Sequence, residues 1–277
     1  MIRQIFLVAM AIIAFSSSSP AEQSARALRL MTDDNVSISA VFYAAKTQDE
    51  FAPAVLLLHS LGQSRDEWPG LPAMLQRNGI SCLVIDLRGH GQSTRRLTDK
   101  GPELVNYQTF TERDYADMLL DVNAAVNWLT EQTDIDKHRM AIIGSGFGAS
   151  LALQYASFNA DIRALLLFSP GNYQGISIDK AVEKIGPIAL RLYVSRYDNS
   201  SYNTAKRLLA TRKEMGYSAD TKSLVVCSGG LQGGEMLRGV DQLPQLMLEW
   251  LQQVLLGVSP PVTKASVKPA SATPPKK

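Results

Sequence analysis

The sequence predicts an α/β protein, a mostly parallel sheet with helices on both faces. Apolar runs of strand length recur along the chain: AVLLLH (54–59), CLVID (82–86), MAIIG (140–144), ALLLF (164–168), IALRLYV (188–194) and SLVVC (223–227). They are continuous rather than alternating, which is the pattern of strands buried on both faces. Between them stand segments whose apolar residues recur three and four apart, the helical period. Alternation of the two element types favours a parallel sheet joined by helical crossovers.

Taken in order, Ala27 to Met31 and Val36 to Tyr43 form an opening antiparallel pair around a turn at Asp33, Asp34 and Asn35. AVLLLH follows, then a helix that closes near Asn78 and Gly79, then CLVID. Residues 87–110 read as a polar loop. Thr111 to Gln132 reads as one long helix with its inner face at Tyr115, Met118, Leu119, Val122, Val126 and Leu129. MAIIG runs into a helix of small residues through Ala156, and helices near Asn203–Met215 and Leu243–Leu255 complete the pattern. The connection from Ser169 to Ile188 is too short for a large lid domain, so a pocket beneath it should be shallow or open. No repeat and no internal linker divides this stretch.

The two ends read differently. Arg3 precedes an unbroken apolar run, Ile5 to Phe15, followed by small residues at Ser19 and Ala21. That is the layout of a signal peptide cleaved after Ala21, and the run falls short of the ~17 residues of a spanning helix. Residues 1–21 are therefore assigned to a signal peptide, 22–257 to one domain, and 258–277 to a disordered tail. The tail, VSPPVTKASVKPASATPPKK, has four lysines, five prolines and no acidic residue. Such a composition cannot bury enough apolar surface to order itself. The expected location is exported, periplasmic or extracellular, with no membrane span after cleavage. The formal net charge of +2 is more than covered by the tail's lysines, so the domain carries no basic footprint for nucleic acid. No Cys, His or carboxylate cluster has metal-ligand spacing, and no cofactor is expected. The two cysteines, Cys82 and Cys227, lie in apolar strand-like runs, where a buried thiol or a pair in an oxidising compartment are both open readings.

Five short motifs carry a resemblance. LLLHSLGQSRDEW (56–68) is similar to a strand followed by an H-G-x-G loop, with Ser60 where glycine is usual. DLRGHGQS (86–93) matches D-x-R-G-H-G-x-S without a change. GSGFGASLAL (144–153) resembles G-x-S-x-G and its helix, SRYD (195–198) an acid after a strand, and GGLQGGEML (229–237) the loop that carries a histidine. Together they resemble the α/β hydrolase superfamily, near its serine-aminopeptidase and dienelactone-hydrolase-like branches, over nearly all of the domain.

The resemblance implies an α/β-hydrolase fold with Gly146 at the nucleophile position, Asp198 at the acid position and Gln232 at the base position. The backbone N–H groups of Leu61 and Phe147 would form the oxyanion hole. Two of the three reactive groups are then missing, because glycine has no side chain to attack with and an amide has no useful basicity. The three histidines, His59, His90 and His138, all precede Asp198, against the fold's chain order of Ser, Asp, His. His59 and His90 are expected to be structural, and His138 solvated. The family's sheet would also hold Cys82 and Cys227 several strands apart, too far for a disulfide.

The reading favoured by the sequence is an exported hydrolase-fold protein that has lost serine-hydrolase chemistry and binds a small-molecule or peptide ligand at the old pocket, as an accessory protein of the cell envelope. One alternative is an ester- or peptide-type hydrolase with a rearranged site, Ser145 or Ser60 with His90. Another is a structural role exerted through the basic tail. A dinucleotide turn fits Gly144, Gly146 and Ala149 only loosely and lacks the acidic residue that should follow. If only reactive groups were lost, Gly146→Ser with Gln232→His should restore hydrolysis.

Overall fold

The structure is a computed structural model that describes residues 25–173, 175–217 and 223–257. The expected signal peptide (1–21) and tail (258–277) lie outside the described residues. Strands β1 (Arg26–Met31) and β2 (Val36–Tyr43) pair antiparallel, with Asn35 at φ 62° in their turn. β3 (Ala52–Leu58), α1 (Leu71–Arg77) and β4 (Ser81–Ile85) follow. Next come a hairpin, β5 (Arg95–Thr98) with β6 (Gly101–Leu104), and two helices, α2 (Glu112–Asp117) and α3 (Leu119–Thr130). β7 (Ile135–Ser145), α4 (Phe147–Ala156), β8 (Ile162–Phe168), α5 (Ile178–Lys184) and β9 (Ala189–Ser195) continue the alternation. α6 (Asn199–Glu214), β10 (Leu224–Cys227), α7 (Met236–Gly239) and α8 (Leu243–Leu256) close the domain.

These strands form one sheet in the order β10-β9-β8-β7-β3-β4-β2, with β1 on β2 and the β5–β6 hairpin continuing from the start of β2. The strands from β4 to β10 along this path run parallel, and β2 is antiparallel to β4. Every residue of β3 is buried, which is why its sequence is an unbroken apolar run rather than an alternation. One face of the sheet packs on α3, α4, α5 and α6 through Val122, Leu151, Val182 and Leu208. The other packs on α1 and α8 through Leu75, Met247 and Leu251. Replacing a fully buried leucine such as Leu57 by alanine would cost about 2–5 kcal/mol, the transfer term plus a cavity.

Two sequence expectations need correction. Residues 87–110 are not one polar loop. The β5–β6 hairpin turns at Asp99 and Lys100 and pairs with β2 through Val36 and Arg96. RRLT and GPEL lack the apolar alternation that marks a strand, so pairing rather than pattern makes them strands. The long helix at 111–132 is two helices, because the backbone tightens at Met118: its N–H bonds to Tyr115 O at 3.3 Å and Asp121 N–H bonds back to Met118 O at 3.1 Å. Three-residue spacing of both bonds is 3₁₀ geometry, and it keeps the apolar face continuous, which hides the break from periodicity. Among the described residues only α5 stands as a helix or strand between β8 and β9, and no large lid covers the strand ends. Both cysteines are free and buried, on β4 and β10, with β3, β7, β8 and β9 between them. No described helix is long and apolar enough to cross a membrane.

Candidate functional site

The site lies where β3, β7, β8, β9 and β10 deliver their loops. β7 ends at Ser145, and Gly146 turns the chain into α4 with φ 52° and ψ −115°. A side chain is strained in that region. The turn is pinned by Gly146 N–H donating to Phe168 O at 2.8 Å. Behind the turn, the Ser150 hydroxyl donates to Gly171 O at 2.5 Å, inside the first turns of α4.

The loop after β3 is held by the D-L-R-G-H-G-Q-S turn. His59 Nε2 accepts from Leu87 N–H at 2.9 Å while its Nδ1–H donates to Ser60 O at 2.7 Å. His90 Nε2 accepts from Gly62 N–H at 3.0 Å, its Nδ1–H donates to Arg88 O at 2.9 Å, and its ring stacks on Tyr107 at 4.0 Å. Burial lowers both imidazoles from their ordinary range, His90 to about 4. Each ring is thus held neutral with both nitrogens committed to backbone. The turn itself is anchored by Arg88, which bonds the buried Asp121 at 2.7 Å and Asp34 at 2.8 Å, and by Asp86, which accepts from Arg65 N–H and Gln92 N–H at 2.9 Å. This scaffold leaves Leu61 N–H and Phe147 N–H with no hydrogen-bond partner among the described residues.

The pairing of Ser145 or Ser60 with His90 is overturned. His90 reaches neither hydroxyl, and its acceptor nitrogen is taken. In its place stands a carboxylate that the sequence reading missed. Glu67 Oε1 accepts from Ser145 Oγ at 2.6 Å, Ser60 Oγ at 2.9 Å and Gly234 N–H at 2.9 Å, and Oε2 accepts from Ser60 N–H at 2.6 Å. The two serine hydroxyls are 2.7 Å apart. Glu67 therefore joins the loop after β3, the end of β7 and the loop after β10. Its spacing of seven residues from Ser60 carries no recognisable motif. The backbone of the last loop comes so close that a β-carbon at Gly233, φ 55°, would collide with Ser145 Oγ.

Gly146, Asp198 and Gln232 line one cavity of about 560 Å³, together with Ser60, Leu61 and Tyr173. Asp198 is half-buried and caps α6, accepting from Ser201 N–H at 3.1 Å. Gln232 is exposed at the rim, and the following Gly233 N–H donates to Ser169 Oγ at 3.1 Å. Tyr173 packs edge-on against Phe147 with ring centroids 5.3 Å apart. Burial, and after it the Asp198 charge, push the Tyr173 hydroxyl up from its ordinary value. His138 is exposed on β7, away from these groups. Among the described residues no three His, Cys, Asp or Glu side chains gather as metal ligands.

The strand order, the strained turn after β7 and the loops gathered above it define the class. The chain belongs to the α/β hydrolase fold family, whose model matches residues 53–215. An uncharacterized protein of Mycobacterium tuberculosis is 28% identical over 154 residues, 56% of this chain and 48% of that protein, so the match spans about half the length of that relative. A polyketide transferase of a Penicillium species is 28% identical over 119 residues, 43% of this chain and 36% of its own. Among solved structures, a Pyrococcus furiosus esterase superposes with a TM-score of 0.61 at 17% identity, over 84% of this chain and 91% of its own. These structural likenesses show the fold.

Proposed function

We propose that this protein binds a carbonyl-containing ligand at the old hydrolase pocket and does not carry out serine hydrolysis. The observation that carries the reading is Gly146 at the strained turn, φ 52°, which offers no side chain where a nucleophile's would stand. Gln232 offers no base, and both buried histidines are committed elsewhere. Binding needs none of these groups. The free N–H donors of Leu61, on the loop after β3, and of Phe147, the first residue of the ten-residue helix α4, suit a carbonyl or carboxylate oxygen. The esterase named above favours carbonyl compounds as the ligand class. The leader-like residues 1–21 support export, and an accessory role in the cell envelope fits an exported binding protein.

A rearranged enzyme would have to use Ser60, whose hydroxyl faces Glu67 at 2.9 Å. Four donors already occupy that carboxylate, which has about four acceptor sites. Both buried imidazoles are committed to backbone, so none is left to carry a proton between Ser60 and a leaving group. Thermal melting in the presence of simple carboxylates and esters, with product formation followed in parallel, tests the proposal. Stabilisation without hydrolysis is expected. Enzymatic turnover would overturn the loss of chemistry, and absence of stabilisation by every ligand would leave the structural role through the tail as the better reading.

A further inference from the structure

The cavity is unevenly charged. Asp66, Glu67, Asp198 and Glu235 line it against a single guanidinium, Arg238. Arg238 donates to the Asp66 backbone carbonyl at 3.4 Å and forms no ion pair among the described residues. Glu67 is satisfied by its four donors. Asp198 is not: it accepts one backbone N–H, and the residue at the neighbouring base position, Gln232, is neutral. A serine hydrolase sets a histidine against this acid, and here only the N-terminus of α6, with the Ser201 N–H, faces its charge. The half-buried carboxylate and Tyr173 line the same cavity as Gly146 and Leu61, with Phe147 following Gly146 in the turn, and the N–H groups of Leu61 and Phe147 are unpartnered among the described residues. Gly146 adds no side chain of its own to this cavity, and Ser60 Oγ and the Tyr173 hydroxyl stand nearest to its turn.

We propose, on the basis of the binding reading above, that the ligand is a carbonyl compound that also carries a cationic amine. Its carbonyl oxygen accepts from Leu61 and Phe147 N–H, and its ammonium lies against Asp198 and Glu235 with the Tyr173 ring face beside it. Concave walls of one charge concentrate field lines and raise the local concentration of a counter-charged ligand. An aromatic face adds to the attraction for an ammonium. An anionic ligand would meet the same carboxylates as repulsion.

Three amides of matched length separate charge from carbonyl recognition: 6-aminohexanamide is cationic, hexanamide neutral and adipamate anionic. Titration calorimetry on the folded chain at low salt should rank them in that order, the cation about two- to fivefold tighter than the neutral amide, as expected for partly exposed charge pairs. Salt should compress the ranking. Asp198→Asn, which can still cap α6, and Glu235→Gln should each bring the cation-to-neutral ratio towards one, with melting temperature as the control for folding. Equal binding of the three, or adipamate binding best, would overturn the amine assignment and leave the binding reading standing. If none of the three amides nor any carboxylate or ester binds, both fall.

Discussion

Ser60 Oγ stands 3.0 Å from the point where a β-carbon at Gly146 would lie, and Ser60 Cβ stands 3.4 Å from it. The two positions have exchanged bulk. Serine occupies the loop after β3 where the resembling family has glycine, and glycine occupies the turn where that family has serine. The Ser60 hydroxyl therefore crowds the space of the absent nucleophile while donating to Glu67. The Tyr173 hydroxyl, 3.4 Å from the same point, crowds it from above.

This exchange changes what repair of the site requires. Gly146→Ser with Gln232→His leaves the new side chain pressed against Ser60, so the two changes the sequence suggests should give little or no hydrolysis of an activated aryl ester. Adding Ser60→Gly should raise the rate clearly above that pair, because serine, imidazole and the resident Asp198 must act together. Gly146→Ser alone should lower stability by about 1–3 kcal/mol through its φ of 52°. Equal activity of the double and triple variants would remove Ser60 from the explanation.

Glu67→Ala should destabilise by about 2–4 kcal/mol, since it strips the acceptor from buried donors on three loops at once. Glu67→Gln should lose less, keeping one oxygen but turning an amide towards a donor. Urea unfolding of the two variants against the parent measures both. A loss under half a kcal/mol for the alanine variant would mean that water replaces the carboxylate without cost.

The core of the fold was readable because β3, β4, β7, β8 and β9 are buried on both faces and write continuous apolar runs. The β5–β6 hairpin was not, because exposed polar strands carry no such pattern. The broken helix at Met118 was hidden by an apolar face that continues across the break. At the site, Gly146, Asp198 and Gln232 could be placed from their motifs, and the structure lines one cavity with them. Glu67 could not be found, since its partners come from Ser60, Ser145 and Gly234, far apart in the chain. Nor could the commitment of His90 to backbone, which depends on where Gly62 falls.

Stability should fall in mild acid. Burial disfavours the charged form of His90 and pushes it down to about 4 in the folded chain, from its ordinary value of 6.5. The unfolded chain then binds the extra proton first. The contribution is fully present above about pH 6.5 and is lost as pH falls towards 4, up to roughly 3 kcal/mol for this shift. His59, lowered for the same reason, acts in the same direction. Proton NMR of the His90 ring should show a midpoint well under 6.5; a midpoint at the ordinary value would contradict a dry, backbone-bonded imidazole.

Cys82 and Cys227 should stay unbridged and unreactive in the native state. Burial raises both thiols, Cys227 to about 11, and the strands that carry them are separated by four others. A disulfide-exchange reagent should modify both only after denaturant is added, and the non-reduced mass should equal that of two free thiols. Fast modification of either in the folded protein would show that its strand opens locally.

The loss of serine-hydrolase chemistry is tested most directly by incubating the folded chain with a fluorophosphonate probe and mapping adducts by mass spectrometry. The probe needs an activated hydroxyl, and Gly146 supplies none. No adduct is expected on any serine, with the denatured chain behaving identically. A stoichiometric adduct on Ser60 or Ser145 in the folded protein, absent after denaturation, would show that the Glu67 cluster activates a displaced nucleophile and would contradict that loss.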